Sequence, residues 1–169
     1  MYRPSIRFRP PRVTDAAPTH ELISRCEPLD LNSTYAYLLF CTHFSETSAV
    51  ADVEGRPLGF VAGYLKPADP SVLFIWQIAV TPEARGHGIG AGLLREVLER
   101  PNCRDVQYVE ATVTPSNEPS RMLFHSLARA RRVPCEESLL FRAQDFGGRH
   151  HEEEQLLRIG PIQGSGDAA

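Results

Sequence analysis

A mixed α/β domain is the fold class this sequence predicts, and three observations carry that reading. Short runs rich in β-branched and aromatic residues alternate with segments of helical spacing; one run, VLFIWQIAV, is apolar almost throughout; and the junctions are marked by Gly, Pro or capping residues. In order the elements read β α α β β β α β α β, which predicts a mixed parallel and antiparallel central sheet of about six to seven strands flanked by about four helices. The chain has 169 residues, 42% of them hydrophobic, enough to bury one core.

Each element has its own warrant. SIRFR (5–9) alternates apolar and charged residues as an edge strand does. A helix is predicted from Thr14 to about Glu27, with Pro18 tolerated in its first turn. Asn32 or Ser33 caps a second helix, running to about Phe44, with Tyr35, Leu38, Leu39 and Cys41 at helical spacing. TSAVADV and LGFVAGYL, joined by EGRP around Gly55, predict a β-hairpin. The run from Val72 to Val80 has the continuous apolar character of a central strand covered on both faces, and Thr81-Pro82 ends it. A glycine-rich turn then opens the helix GIGAGLLREVLERP, closed by Pro101. VQYVEATV, NEPSRMLFHSLARAR and CEESLLFR predict strand, helix and strand, and LLRI in the tail is a candidate last strand. Residues 1–162 are expected to form a single domain with 146–162 as its C-terminal segment, and 163–169 a disordered tail.

Charge and cysteine usage exclude several functions. With 18 Lys+Arg against 21 Asp+Glu the net charge is −3, so there is no basic face for nucleic acid. No apolar run approaches the ~18 residues of a membrane span. The first residues, MYRPSIRFRPPR, lack the apolar core of an export signal, which predicts a cytoplasmic protein. Cys26, Cys41, Cys103 and Cys135 form no C-x-x-C pair, which argues against a zinc knot or a redox dithiol and for reduced, mostly buried thiols.

The segment WQIAVTPEARGHGIGAGLL carries the chemistry. It is a buried strand, a turn, and then Arg85-Gly86-His87-Gly88-Ile89-Gly90 opening a helix. Glycines at 86, 88 and 90 let a ligand approach the backbone, and the amides at a helix N-terminus favour a phosphate. A P-loop would need Lys and Ser/Thr after its last glycine, and a dinucleotide fingerprint would need G-x-G-x-x-G; both fail here on spacing. A ligand-free glycine turn is the bland alternative.

In context the pattern R-x-x-G-x-G, after a strand ending in A-V-x-P, resembles the acetyl-CoA signature of the GNAT acyltransferase superfamily. The strings LDLNSTYAYLL, FIWQIAVTPEARGHGIG, EATVTPSNEPSRMLF and GGRHHEEEQLLRIGP, spanning 29–161, are further similar to the diaminobutyrate acetyltransferase family within it. The resemblance implies a GNAT fold, acetyl-CoA as co-substrate without a metal, L-2,4-diaminobutyrate as acceptor, and a homodimer. It also implies that backbone groups of Ile78 and Val80 pair with pantetheine, that the amides of Arg85, Gly86, His87, Gly88, Ile89 and Gly90 hold the pyrophosphate, and that Asn117 and Arg121 meet the cofactor.

Substrate-side residues follow from the same resemblance, each against a plainer alternative. Asp30 is a carboxylate for a substrate ammonium, or a solvated residue ahead of a helix cap. Trp76 is a wall beside the thioester, or core. Tyr35 donates a proton to the departing thiolate, or packs on a helix face; Tyr37, two positions on, faces elsewhere. The run His150-His151-Glu152-Glu153-Glu154 matches the family's H-x-x-E element at His151 and Glu154, whereas a metal site is disfavoured because consecutive residues seldom converge on one ion. Many superfamily members place a Tyr general acid where this chain has Phe124, and Phe cannot donate a proton, so either Tyr35 substitutes or solvent protonates the thiolate. The expected reaction is direct, single-displacement acetylation of the distal (N4) amine of diaminobutyrate on the path to ectoine, with the Ile78 amide meeting the oxyanion. The alternatives are another amine acceptor, such as a polyamine, a protein N-terminus or an aminoglycoside, or a non-catalytic acyl-CoA sensor.

Overall fold

A computed structural model describes residues 5–147 and 150–162. The expected disorder of 163–169 concerns residues outside that description. Among the described residues seven strands and four α-helices follow in the predicted order: β1 (Arg7–Arg9), α1 (Ala16–Ser24), α2 (Thr34–Thr42), β2 (Ala49–Val53), β3 (Arg56–Lys66), β4 (Asp69–Val80), α3 (Ile89–Leu98), β5 (Tyr108–Val113), α4 (Glu118–Arg131), β6 (Cys135–Phe141) and β7 (Glu154–Ile159). The strand order is β1-β2-β3-β4-β5-β7-β6. β4 and β5 run parallel, from Val72 opposite Tyr108 to Ile75 opposite Ala111, whereas β7 lies antiparallel to both β5 and β6.

Several boundaries shift for local reasons. The first helix begins at Ala16 because residues 13–15 form a 3₁₀ turn, held by Arg12 N–H donating to Asp15 Oδ2 at 2.6 Å. It ends at Ser24, well before Pro28, whose ring disfavours helical geometry at Glu27. Ser33, not Asn32, caps α2, its hydroxyl accepting from Ala36 N–H at 3.2 Å. The hairpin turns on Glu54 and Gly55, both at positive φ, and Val53 faces Arg56 across it.

The chain divides into two compact units: one takes the described residues up to Tyr64 together with Trp76–Arg104, the other Leu65–Ile75 and the residues from Asp105 on. In the first unit α1 and α2 bury Ile23, Tyr37 and Cys41 with Val50, Phe60 and Ala62 of the hairpin. Phe8 of β1 reaches α3 at Gly92, where a Cβ would lie 2.4 Å from the ring. Arg9 ties β1 to its surroundings, with Nη1 and Nη2 donating to Asp15 at 2.7 and 2.9 Å and Nε to Asp52 at 2.5 Å. Burial opposes ionisation of both carboxylates, but the Arg9 guanidinium outweighs it together with the Arg12 N–H on Asp15 and with the Gly55 N–H and Arg7 on Asp52, so both titrate below the usual carboxylate range.

In the second unit Val109, Leu157 and Ile159 are fully buried, and α4 buries Phe124 and Ala128. The buried Glu110 carboxylate accepts from Lys66 Nζ at 2.8 Å and pairs with Arg158, whose guanidinium lies 3.8 Å from the Tyr108 ring centroid. One expectation for β4 is corrected. The run from Val72 to Val80 is not covered throughout, since Trp76 within it is 36% exposed, and the strand begins earlier, at the exposed Asp69 and Pro70.

Candidate active site

In the first unit β4 leads through a short 3₁₀ turn, Pro82–Ala84, to α3. Gly86 and Gly88 have φ of +77° and +75°, conformations costly for other residues, and a Cβ on either would meet no atom within 4 Å. Gly88 is the N-cap of α3, and no side chain caps that helix. The first-turn amides of α3 therefore face an open, glycine-lined space, which fits an oxyanion such as a phosphate. Arg85 turns its side chain back, with Nε donating to the Val80 carbonyl at 3.2 Å, and the exposed His87 ring folds over the turn with Nδ1 2.8 Å from Arg85 O. What these two residues present to a ligand is their backbone. Buried Cys26 Sγ also lies 3.5 Å from Val80 O, and burial raises this thiol above its usual range against the pull of Arg85.

The ladder between β4 and β5 ends at Ile75 opposite Ala111, whereas β4 continues through Val80. Trp76 stacks on Phe40 of α2, ring centroids 4.5 Å apart and 11° from parallel, leaving one indole face outward. Next to it Gln77 is buried, accepting from Tyr37 Oη at 3.0 Å and donating through Nε2 to the Asp30 carbonyl at 2.8 Å. The Asn32 N–H donates to Tyr37 Oη at 3.3 Å. Burial pushes the Tyr37 hydroxyl above its usual range against these hydrogen bonds, so it remains a protonated donor at neutral pH. Asp30 is exposed, and Tyr35 is 68% exposed, so Tyr35 is not a core residue. Asp30, Trp76, Ile78, Val80 and the glycine turn thus share this unit, on β4 and the segments attached to it.

The second unit holds the remaining sequence candidates. Asn117 caps α4, its Oδ1 accepting from Ser120 N–H at 3.2 Å, which leaves its amide nitrogen as the group it can offer a ligand. Arg121 is engaged by its own unit: it pairs with Glu137 and donates through Nη2 to Gln155 Oε1 at 2.7 Å. His151 stacks on Phe146 at 3.8 Å between centroids, with Nδ1 2.6 Å from Glu152 O. Glu154 opens β7 opposite Phe141, while Glu152 is the carboxylate that binds Ser116 of the TPSN turn. Phe124, in the position of the family's tyrosine, is 2% exposed.

Sequence reasoning assigned no role to Tyr37, Gln77 or Glu152. A signal for Gln77 was present: a polar residue inside an apolar strand must find buried partners, and a tyrosine on the neighbouring helix can supply one. Nothing in the local sequence distinguishes Glu152 from Glu153 or Glu154, because only tertiary placement decides which one reaches Ser116.

A strand that feeds a glycine turn and an uncapped helix, and that carries within its second half an indole and a glutamine tied to the segment of Asp30, is the arrangement of an acyltransferase. Residues 16–128 match the acetyltransferase (GNAT) family, and the chain belongs to it. Within that family it stands with the diaminobutyrate acetyltransferases. It is 51% identical over 156 residues to the L-2,4-diaminobutyric acid acetyltransferase of Bordetella parapertussis, covering 92% of this chain and 84% of that protein. To the enzyme of the same name from Virgibacillus pantothenticus it is 46% identical over 153 residues, covering 90% and 96%. Among solved structures, diaminobutyrate acetyltransferase EctA from Paenibacillus lautus, in complex with its substrate L-2,4-diaminobutyric acid and coenzyme A, superposes with a TM-score of 0.92 at 34% identity, covering 98% of this chain and 100% of that one. The Escherichia coli ribosomal-protein-S18-alanine N-acetyltransferase shares the fold, with a TM-score of 0.68 at 17% identity over 98% and 99% of the two chains.

Proposed function

We propose that this protein moves the acetyl group of acetyl-CoA to the distal, N4 amine of L-2,4-diaminobutyrate by direct displacement, in the cytoplasm. The product, N4-acetyl-diaminobutyrate, would be the substrate for ring closure to ectoine. The observation that carries the reading is the tether from buried Gln77 to the Asp30 backbone, which ties the segment of Asp30 to the residue next to Trp76 on the strand that enters the glycine turn. Support for the acceptor comes from the relatives, identical at up to about half of the aligned positions and named for it.

Acetyl-CoA supplies the acyl group as a thioester, a good electrophile with a thiol leaving group. Amides at the start of α3 and at Gly86 and Gly88 hold its phosphates, and the continuation of β4 at Ile78 and Val80 offers backbone groups to its extended arm. Asn117 offers its amide nitrogen to the same cofactor; the cofactor role of Arg121 would compete with its pair to Glu137. Asp30 binds an ammonium of the substrate, the Trp76 face lies along its methylenes, and His151 and Glu154 contribute further polar contacts. The neutral N4 amine attacks the carbonyl carbon, the Ile78 amide stabilises the oxygen as it gains charge, and the C–N bond forms as the C–S bond breaks. As the amide forms the attacking nitrogen sheds a proton to Tyr35 or solvent, and Tyr35, an exposed residue, gives its own hydroxyl proton to the departing thiolate, so the enzyme ends the step with its protons restored.

The test is thiol release from acetyl-CoA with L-2,4-diaminobutyrate, ornithine, lysine and spermidine at pH 7 and pH 9, with the acetylated nitrogen located by NMR. Turnover confined to diaminobutyrate and acetylation at N4 are expected. The rate should rise with pH, because less than about one part in a thousand of an amine with pKa ~10.4 is neutral at pH 7. Coenzyme A binding without turnover on any amine would favour an acyl-CoA sensor, and turnover on a different amine would move the acceptor.

A further inference from the structure

The hydrogen bonds around Gln77 form a closed chain. Gln77 Nε2 donates to the Asp30 carbonyl, Tyr37 Oη donates to Gln77 Oε1, and the Asn32 N–H donates to Tyr37 Oη, at 2.8, 3.0 and 3.3 Å. The backbone on either side of exposed Leu31 is thereby tied to one buried side chain of β4. Tyr37 is fully buried, with its ring edge-on to Phe60 at 6.2 Å and to His20 at 6.0 Å, and Gln77 is 8% exposed. The bond between Tyr37 and Gln77 is buried and so is little weakened by competing water. Immediately downstream, Ser33 fixes the start of α2 through Ala36 N–H, so three side chains hold the segment 30–33. Immediately upstream of Gln77 on the strand stands Trp76, fixed in turn by Phe40.

We infer that Gln77 and Tyr37 are positioning residues: they hold the backbone of Asp30 in a fixed relation to Trp76, so that the substrate ammonium meets a carboxylate already in place. Neither side chain touches the substrate in this account. Their effect is preorganisation, the removal of an ordering cost that binding would otherwise bear. The inference rests on the diaminobutyrate reading of Asp30, and it concerns the acceptor, since none of these bonds involves Ile78, Val80 or the phosphate-binding turn.

The experiment compares the full chain with Asp30→Asn, Tyr37→Phe, Gln77→Met and Gln77→Glu, alone and with Asp30→Asn, by steady-state kinetics in both substrates. Tyr37→Phe keeps the buried ring and removes the hydroxyl. Gln77→Glu keeps an acceptor for Tyr37 and loses the donor to Asp30. Expected is a rise of about tenfold in KM for diaminobutyrate in each Tyr37 and Gln77 variant, with KM for acetyl-CoA and kcat within about twofold. In the Asp30→Asn background the same changes should add less than about twofold, because the group they position is gone. A core control, Val97→Ala, in a fully buried position near the C-terminal end of α3, should lower Tm without moving either KM, which separates positioning from general loosening.

If wild type turns over diaminobutyrate and Asp30→Asn raises its KM, while Tyr37→Phe and Gln77→Met leave it unchanged or act additively with Asp30→Asn, the positioning role is overturned and the functional reading stands. An Asp30→Asn variant with unchanged KM overturns it as well. No turnover of diaminobutyrate by wild type overturns the functional reading and the positioning role together.

Discussion

Arg9 shows how one side chain can decide the stability of a region. It bridges two buried carboxylates, Asp15 and Asp52, and no other guanidinium in the described residues donates to Asp15. Replacing it with Met would keep the apolar stem and leave Asp15 with the Arg12 N–H, and Asp52 with the Gly55 N–H and Arg7 Nη2 at 3.3 Å; losing one partner of a buried pair costs about 3–5 kcal/mol. Chemical denaturation of Arg9→Met at pH 7 should report a loss of that order. The pH dependence follows from the sign of the shifts. Both folded carboxyls titrate below their unfolded value, so their stabilisation is complete above the ordinary carboxylate range and is lost as pH falls through it toward the lower folded values. Wild-type stability should therefore decline from about pH 4 downward. In Arg9→Met the decline should flatten or reverse, because burial alone favours the neutral carboxyls.

At the scale of an element, α3 makes two separable predictions. Gly88 sits at positive φ in open space, so Gly88→Ala should cost about 1 kcal/mol of stability through backbone strain, and its methyl would project into the space assigned to phosphate. Expected is a rise of about tenfold in KM for acetyl-CoA with KM for diaminobutyrate unchanged. Gly92, one turn on, has the opposite geometry. An added methyl there would meet the Phe8 ring at 2.4 Å and push β1 from the helix, so Gly92→Ala should destabilise by about 1–3 kcal/mol without a selective effect on either substrate. Comparing the two variants by thermal melts and kinetics distinguishes a glycine kept for a ligand from one kept for packing.

For the whole molecule, the thiols test the burial pattern. Cys26, Cys41 and Cys103 are buried and Cys135 is partly so; burial pushes the Cys41 thiol up to about 12 and Cys103 to about 11. A thiol reagent at pH 8 should label Cys135 first and slowly, and all 4 cysteines only on unfolding, which mass spectrometry can follow. The last strand in the sheet order, β6, exposes Leu139, Leu140 and Phe141 at 49%, 42% and 46%. An apolar edge of this kind is the surface a second copy would cover in the homodimer expected from the sequence resemblance. Light scattering should then report a dimer for wild type and a monomer for Phe141→Glu, with the far-UV circular dichroism retained.

The sequence by itself determined the elements and their order, because hydrophobic period, caps and breakers act within a few residues: Ser33, Gly55, Gly88 and Asn117 each stand at a boundary they create. It also made the glycine turn legible, since positive φ and an open helix start are local properties. Tertiary structure alone decided what depends on partners distant in the chain. The insertion of β7 between β5 and β6 has no local signature, because both β5 and β6 offer an edge to an antiparallel strand. Trp76 faces outward from an apolar run because Phe40 covers only one side of it, and Tyr35 and Tyr37 part company because two residues on a helix are about 200° apart. The bonds from Gln77 to Asp30 and Tyr37 span 47 and 40 residues. No period or motif encodes such a pairing; it exists because a buried amide must be satisfied by whatever the fold brings beside it.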